Sequence, residues 1–210
     1  MKIPLISTAI WKTGKLNIGL FLLILLLAAL EPKASEFLRY DRYAINAGEW
    51  WRLLTGHIVH LGWAHAFLNL SGLALITVIF QQEMSFKNDS IALAVCMGGT
   101  AFGIYIFSPD MIWYMGLSGA LHGYLIYYLI KGYKVSPLIS FIALTTIISK
   151  VLWEQSPWGD TSQTEQLIGG TVAIDSHLFG SISGIVIGLI ALKFFKQPPA
   201  TASSSERISQ

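Results

Sequence analysis

The chain has 210 residues, of which 53% are hydrophobic and 12% are charged, with a formal net charge of +2 and a mean hydropathy of +0.57. A soluble domain usually carries about 25% charged residues, so this composition indicates an integral membrane protein. The small net charge and the lack of a basic stripe argue against a nucleic-acid-binding protein. The single cysteine, Cys96, cannot form an intramolecular disulfide.

Six apolar stretches are candidate membrane spans, because about 20 apolar residues cross a bilayer. They cover residues 14–30, 61–80, 90–107, 116–130, 135–153 and 174–195. The first resembles a signal peptide, but no small-residue cleavage site follows it and further spans do, so we expect a retained helix. The predicted fold is all-α, a six-transmembrane-helix bundle over residues 14–195, between an N-terminal segment (1–13) and a disordered polar tail (196–210).

The positions of lysine and arginine predict that both termini are cytoplasmic. Most of the 14 basic residues then fall in inner segments, and Lys150, near the end of the fifth span, fits neither side. Segment 154–173 contains acidic residues but no lysine or arginine, which suits the outer face. Spans two, four and six then all run inward from the outer side.

Unusual polar residues lie at one end of these three spans. His65 and Asn69 lie in the first turns of span two, Ser118 in the first turn of span four and His177 in the first turn of span six. Ionisable residues inside a membrane are functional-site candidates. Their common depth predicts one site near the outer membrane face.

The fourth span is short, since 116–130 covers about 22 Å at 1.5 Å per residue and a hydrocarbon core is roughly 30 Å thick. We expect it to begin below the outer surface, with Ser118 at the floor of a water-filled pocket and the preceding segment dipping in to meet it. Gly116 permits close approach of backbone or substrate. The unpaired amides of the helix N-terminus suit a developing oxyanion.

A serine hydroxyl becomes a good nucleophile when a base takes its proton, and His177 is the candidate base. It lies three residues before Gly180, on a small-residue face that continues to Gly184 and favours close helix packing. If the packing partner is span four, the imidazole meets Ser118. Asp175 is two residues away and does not face His177 on a helix, so the sequence predicts a Ser–His dyad without an acidic member.

His65 and Asn69 are four residues apart and therefore share a helical face. Both offer N–H donors, which together with the backbone amide of Ser118 can hold an oxyanion. A structural hydrogen bond by His65 and a helix–helix contact by Asn69 are the alternatives that the sequence leaves open.

Three histidines invite a metal interpretation. His57 and His60 precede His65 closely, but these spacings do not place all three on one face of a helix. No carboxylate or thiol joins them nearby in the sequence. We therefore expect neither a metal nor another cofactor.

Three segments taken together resemble the signature regions of rhomboid intramembrane serine proteases. They are "EWWRLLTGHIVHLGWAHAFLNLSG", "GLSGALHG" and "SHLFGSISG". The resemblance covers residues 14–195 and implies that Ser118 is the nucleophile, that His177 is the base and that both Asn69 and His65 support the oxyanion. The resemblance also covers the loop motif Trp51 and Arg52 and the packing glycines Gly180 and Gly184. The candidates for lining the site are Gly116, Leu117 and His122.

His122 departs from the pattern, because many rhomboids have a tyrosine there that stacks on the base. The sequence leaves open whether His122 lines the site or packs. The phrase "GLSGALHG" is similar to the rhombosortase branch of the family. That resemblance implies a bacterial inner-membrane protein with its site open to the periplasm. It also implies transmembrane substrates that end in a Gly-Gly-type motif, a helical anchor and a basic tail.

Other classes of protein fit less well. An inactive relative that binds transmembrane helices is the main alternative, but it would be expected to lack Ser118 or His177, and both are present. A transporter would place ionisable residues near mid-membrane. A soluble-type esterase would need a strand before the nucleophile helix, which the sequence does not predict.

Loop 154–173 directly precedes His177 and is predicted to gate the site.

Overall fold

The computed structural model describes residues 14–194, so the predicted N-terminal segment 1–13 and the tail 196–210 lie outside the described residues. The described chain is mostly helical, with one two-residue strand pair. In chain order its elements are α1 (Lys15–Ala29), α2 (Lys33–Leu38), β1 (Tyr40–Asp41), α3 (Arg42–Asn46), α4 (Arg52–Thr55), α5 (Trp63–Phe80), α6 (Phe86–Phe107), β2 (Trp113–Tyr114), α7 (Ser118–Lys131), a 3₁₀ turn (Gly132–Lys134), α8 (Pro137–Glu154), α9 (Ser162–Ile168) and α10 (Ile174–Phe194).

Four helices are long and apolar enough to cross a membrane, judged by length and composition: α5, α6, α8 and α10. The shorter helix α1 is also apolar, and α7 has 14 residues. The six predicted spans thus correspond to α1, α5, α6, α7, α8 and α10, with ends that differ by up to four residues. A multi-pass helical membrane protein is supported, while six crossings and cytoplasmic termini stay predictions.

Helix α7 lies at the centre of the bundle, where it packs most extensively against α10. Glycines set this close approach. A methyl group on Gly180 would overlap the carbonyl oxygen of Gly119, and one on Gly184 would overlap the backbone of Gly123. The sequence left the partner of this small-residue face open, and in the structure that partner is span four.

The segment before α7 is anchored by hydrogen bonds to the region between α1 and α5. Strand β2 pairs antiparallel with β1, and the Gly116 amide donates to the Gly56 carbonyl at 3.0 Å. Arg52 is buried and donates to the Arg39 carbonyl at 3.0 Å, so it braces the loop. Trp51 beside it is largely exposed. The expectation that no strand precedes the helix of Ser118 is wrong, because β2 ends four residues before it.

Helix α8 is the most peripheral of the four long apolar helices. Only 17% of its apolar window is buried, compared with 39% in each of the other three. Its C-terminal end nevertheless packs into the molecule, because Glu154 is its last residue and the side chain of Glu154 is only 8% exposed.

Candidate active site

Ser118 and His177 form the centre of the site. Ser118 is the first residue of α7 and His177 lies in the first turn of α10. The glycine contacts between these helices bring the two together, with Oγ of Ser118 3.1 Å from Nε2 of His177. The two side chains thus lie within hydrogen-bond distance, in the arrangement in which an imidazole can take a proton from a serine, and their catalytic roles stay a prediction.

A cavity of about 1150 Å³ contains both groups. His65, Asn69 and His122 line it as well. Two residues predicted to line the site do not: Leu117 is fully buried in the hydrophobic core, and Gly116 lies behind His65. Gly116 has a φ of +115°, and a Cβ there would lie 2.6 Å from Cε1 of His65. Its function is to leave room for the ring, because a side chain would be both strained and obstructed.

The two predicted oxyanion donors are buried on the cavity wall. The amide of Leu61 approaches Nδ1 of His65 at 3.4 Å, which makes Nδ1 an acceptor and leaves the proton of the neutral ring on Nε2. The Asn69 side-chain amide donates one hydrogen bond to the His65 carbonyl at 3.0 Å. An amide has two N–H donors, so the second can serve a group in the cavity.

His122 lines the cavity and stacks on the base candidate. The His122 and His177 ring centroids are 4.1 Å apart, with 20° between the planes. Nδ1 of His122 donates to the Ser118 carbonyl at 2.8 Å. His122 thus both lines the site and packs, so the two options left open by the sequence are combined.

An acidic side chain reaches His177, contrary to the sequence-based expectation. Oε2 of Glu154 lies 2.8 Å from Nδ1 of His177, and Oε1 lies 2.6 Å from Nζ of Lys150. Asp175, the acidic residue nearest in sequence, instead accepts from Ser108 at 2.5 Å. The prediction of a dyad without an acidic neighbour is wrong because Glu154 comes from another helix. The sequence signal that could have revealed Glu154 is its spacing of four residues from Lys150 at the end of span five, because this spacing favours an ion pair on a helix.

His57 and His60, which were considered as metal ligands, are buried, and in the part of the chain that the structure describes their rings are not arranged around a common metal position. Nε2 of His57 donates to the Met97 carbonyl at 2.9 Å, and burial lowers the pKa of this ring to about 4. Among the described residues neither ring nitrogen of His60 has a hydrogen-bond partner, and burial lowers its pKa to about 3. Both rings are therefore neutral near pH 7.

Another cluster of side chains is close enough together to bind a metal ion. Nitrogen and oxygen atoms of His122, Glu154 and His177 lie within 4.8 Å of one another. The ammonium of Lys150 already contacts two of them, at 3.2 Å from Nε2 of His122 and 2.6 Å from Oε1 of Glu154. A metal ion would have to displace this cation. The cluster is therefore better suited to a built-in ammonium than to a metal.

The predicted gate lies at the outer rim of the cavity. Helix α9 and the segment after it contribute Thr164, Ile168 and residues 169–173 to the cavity wall. A Cβ on Gly170 would lie 2.8 Å from Cδ1 of Leu61, just before α5. This contact closes the loop against the start of α5 at the cavity wall, and that the loop gates access to Ser118 stays a prediction.

Comparison with known proteins identifies the family of the chain. The Rhomboid domain family matches residues 47–194, a range that includes the whole site. A Bacillus subtilis (strain 168) protein named "Putative rhomboid protease YdcA" is 23% identical over 150 residues, which are 70% of this chain and 69% of that protein. The chain therefore belongs to the rhomboid family and is an intramembrane serine protease.

Proposed function

We propose that the protein is a rhombosortase-like endopeptidase in which Ser118 is the nucleophile and His177 the general base. The observation that carries this proposal is the 3.1 Å contact between Ser118 Oγ and His177 Nε2 on the wall of a large cavity. A serine at a helix N-terminus with an imidazole in hydrogen-bond range has the geometry that acyl transfer requires.

The reaction follows from the positions of the donors. His177 takes the hydroxyl proton as Ser118 attacks the substrate carbonyl, and the same proton goes to the leaving amine when the peptide bond breaks. The backbone amide of Ser118 and the side chains of Asn69 and His65 stabilise the oxyanion. Each such donor contributes about 3 kcal/mol to transition-state stability in enzymes where one was removed. Water then hydrolyses the acyl-enzyme with His177 again acting as base.

The shape of the cavity supports a transmembrane substrate. Along α5 the cavity is bordered by Leu68, Leu75 and Ile79, whose side chains are 46%, 61% and 62% exposed. Ile147 of α8 borders it as well. This apolar lining on α5 and the peripheral helix α8 suits a helix that arrives from the lipid, and substrates would enter between these two helices.

The substrate class and the membrane orientation rest on the sequence. The "GLSGALHG" phrase and the basic-residue distribution support a bacterial inner-membrane protease with its site facing the periplasm. We propose that its substrates are surface or secreted proteins with a C-terminal Gly-Gly-type motif, a transmembrane anchor and a basic tail. Cleavage near the outer membrane face would release them from the anchor.

Labelling with a fluorophosphonate in detergent tests the chemistry. Wild type is expected to react, and Ser118→Ala and His177→Ala are expected not to, while both variants keep the thermal midpoint of wild type. A folded wild type that stays unlabelled, under conditions in which another active rhomboid protease reacts, would favour the alternative of an inactive helix-binding relative.

Co-reconstitution with two model substrates tests the specificity. One carries a C-terminal Gly-Gly motif, an anchor and a basic tail, and the other has the Gly-Gly motif replaced by Leu-Leu. We expect the first to be cleaved at least about tenfold faster. Equal rates would show an intramembrane protease without the proposed sorting specificity.

A further inference from the structure

The carboxylate of Glu154 is the feature of the site that a two-residue mechanism does not use. It lies 2.8 Å from Nδ1 of His177, and the two side chains are only 8% and 7% exposed. We propose that Glu154 is a positioning residue that completes a Ser118–His177–Glu154 triad, held in place by Lys150. This inference rests on the proposed roles of Ser118 and His177.

The hydrogen-bond partners fix the tautomer of His177. An ionised carboxylate only accepts hydrogen bonds. Nδ1 of the neutral His177 ring must therefore carry the ring proton and donate a hydrogen bond to Glu154. Nε2 is then left with its lone pair directed at the Ser118 hydroxyl, 3.1 Å away. This is the tautomer that a general base needs. Among residues 14–194, Glu154 is the hydrogen-bond partner of Nδ1, so its loss would leave no described group to select this tautomer over the unproductive one.

The same reasoning fixes the tautomer of His122. The Ser118 carbonyl only accepts, so Nδ1 of His122 donates to it at 2.8 Å. The ammonium of Lys150 only donates, so Nε2 of His122 accepts at 3.2 Å. His122 is therefore a neutral ring between the nucleophile's own carbonyl and a cation, and it lies stacked on His177.

This surrounding charge explains why an acid is needed here. When His177 takes the serine proton it becomes an imidazolium, within a stack whose other ring contacts the ammonium of Lys150. Two positive charges would then lie close together, and that of His177 would be largely buried while that of Lys150 is half exposed. The Glu154 carboxylate lies between them, bonding Lys150 through Oε1 and His177 through Oε2. It stays ionised throughout, and the only proton transferred moves from Oγ of Ser118 to Nε2 of His177.

The competing explanation is a structural ion pair. Glu154 also ties the end of the peripheral helix α8 to α10, so a variant could lose activity because α8 moves. A useful test must therefore separate chemistry from anchoring. Glu154→Gln keeps the shape of the side chain, while Glu154→Asp keeps the charge but shortens its reach.

The experiment measures the rate of fluorophosphonate labelling, together with kcat and KM for a cleavable transmembrane substrate. We expect Glu154→Gln to lower the labelling rate and kcat by a factor between about 10² and 10⁴, as loss of the acid does in serine-protease triads. KM should change by less than about threefold, because the substrate groove is intact. Glu154→Asp should recover most of the lost rate.

A matched control and a spectroscopic readout complete the design. Asp175→Asn removes the acidic residue two positions from His177 that contacts Ser108 instead, and it should label within about threefold of wild type. In ¹⁵N-histidine-labelled protein, the Nδ1–H signal that disappears in His177→Ala should be present in wild type and Glu154→Asp and lost in Glu154→Gln.

Three outcomes would overturn the inference. The first is labelling of folded Glu154→Gln within about threefold of wild type. The second is an equal loss in Glu154→Gln and Glu154→Asp with the Nδ1–H signal unchanged. The third is a rise in KM with kcat preserved. A wild type that does not label at all would instead overturn the proposed function, so the two failures are distinguishable.

Discussion

The ring of His122 stacks on the ring of His177, with 4.1 Å between centroids. His122 thus covers one face of the imidazole proposed as the base. The family resemblance implies a tyrosine at this position in many rhomboids. Both of its nitrogens are also bonded, to the Ser118 carbonyl and to Lys150. A single side chain therefore holds the base and joins it to the charge network of α8, which a tyrosine could do only in part.

Replacing His122 should separate stacking from hydrogen bonding. His122→Phe keeps an aromatic face but loses both hydrogen bonds, so we expect fluorophosphonate labelling to fall about tenfold. His122→Ala also loses the stacking contact and should fall about 100-fold. Labelling rates at matched thermal stability check this order. If alanine labels as fast as phenylalanine, the stacked ring does not orient His177.

The glycine contacts between α7 and α10 should be sensitive to a single methyl group. Gly184→Ala would place Cβ against the backbone of Gly123, and overpacking of this kind costs about 1–3 kcal/mol. Gly98→Ala is the matched control, because a Cβ there meets nothing within 4 Å. Thermal midpoints in detergent should fall for the first and hold or rise for the second. Equal midpoints would contradict the close packing.

Much of this architecture was predictable from the sequence because its signals are local. Apolar length marks the helices, and the four-residue glycine repeat marks the face that packs on α7. Three predicted spans carry His65, Ser118 and His177 in the first turns of the helices, which predicted one common site. These patterns depend on period and position alone, and they bring Ser118 and His177 together once span six packs on span four.

Glu154 was not predictable in the same way. In the sequence it reads as one of several acids in an outer segment, and 23 residues separate it from His177. Its position depends on where α8 ends relative to α10, which no periodicity encodes. Lys150 was a clue, because it fitted neither side of the basic-residue distribution. The structure pairs it with Glu154 and His122, which accounts for a cation near the outer end of a span.

Acid should destabilise the fold through the buried histidines outside the spans. Burial lowers the pKa of His60 from 6.5 to about 3 and that of His57 to about 4. Below pH 6.5 the unfolded chain therefore binds more protons, and the free energy of unfolding falls by up to about 1.4 kcal/mol per pH unit for each ring. His60→Phe keeps a ring and removes one titration. Its thermal midpoint should fall less than that of wild type between pH 7 and pH 4, and identical slopes would contradict the assignment.

Chelation should leave activity unchanged. Lys150 supplies the cation beside His122 and Glu154, so EDTA should not alter fluorophosphonate labelling of the wild type. Lys150→Met removes the ammonium and leaves one carboxylate and two imidazoles facing each other, a ligand set that zinc accepts. Micromolar zinc should therefore inhibit this variant more strongly than wild type, and EDTA should reverse the inhibition. Equal zinc sensitivity would mean that Lys150 does not occupy the cluster.

Closure of the loop over the cavity should be testable with one disulfide. Leu61 and Gly170 are in contact across the outer rim, so Leu61→Cys with Gly170→Cys, in a Cys96→Ala background, can lock the loop against the start of α5. If the loop gates access, oxidation should abolish cleavage of a transmembrane substrate and reduction should restore it. The matched controls are the two single-cysteine variants, which oxidation should leave active. Full cleavage by the cross-linked protein would show that substrates reach Ser118 without loop movement, by the proposed entry between α5 and α8 alone.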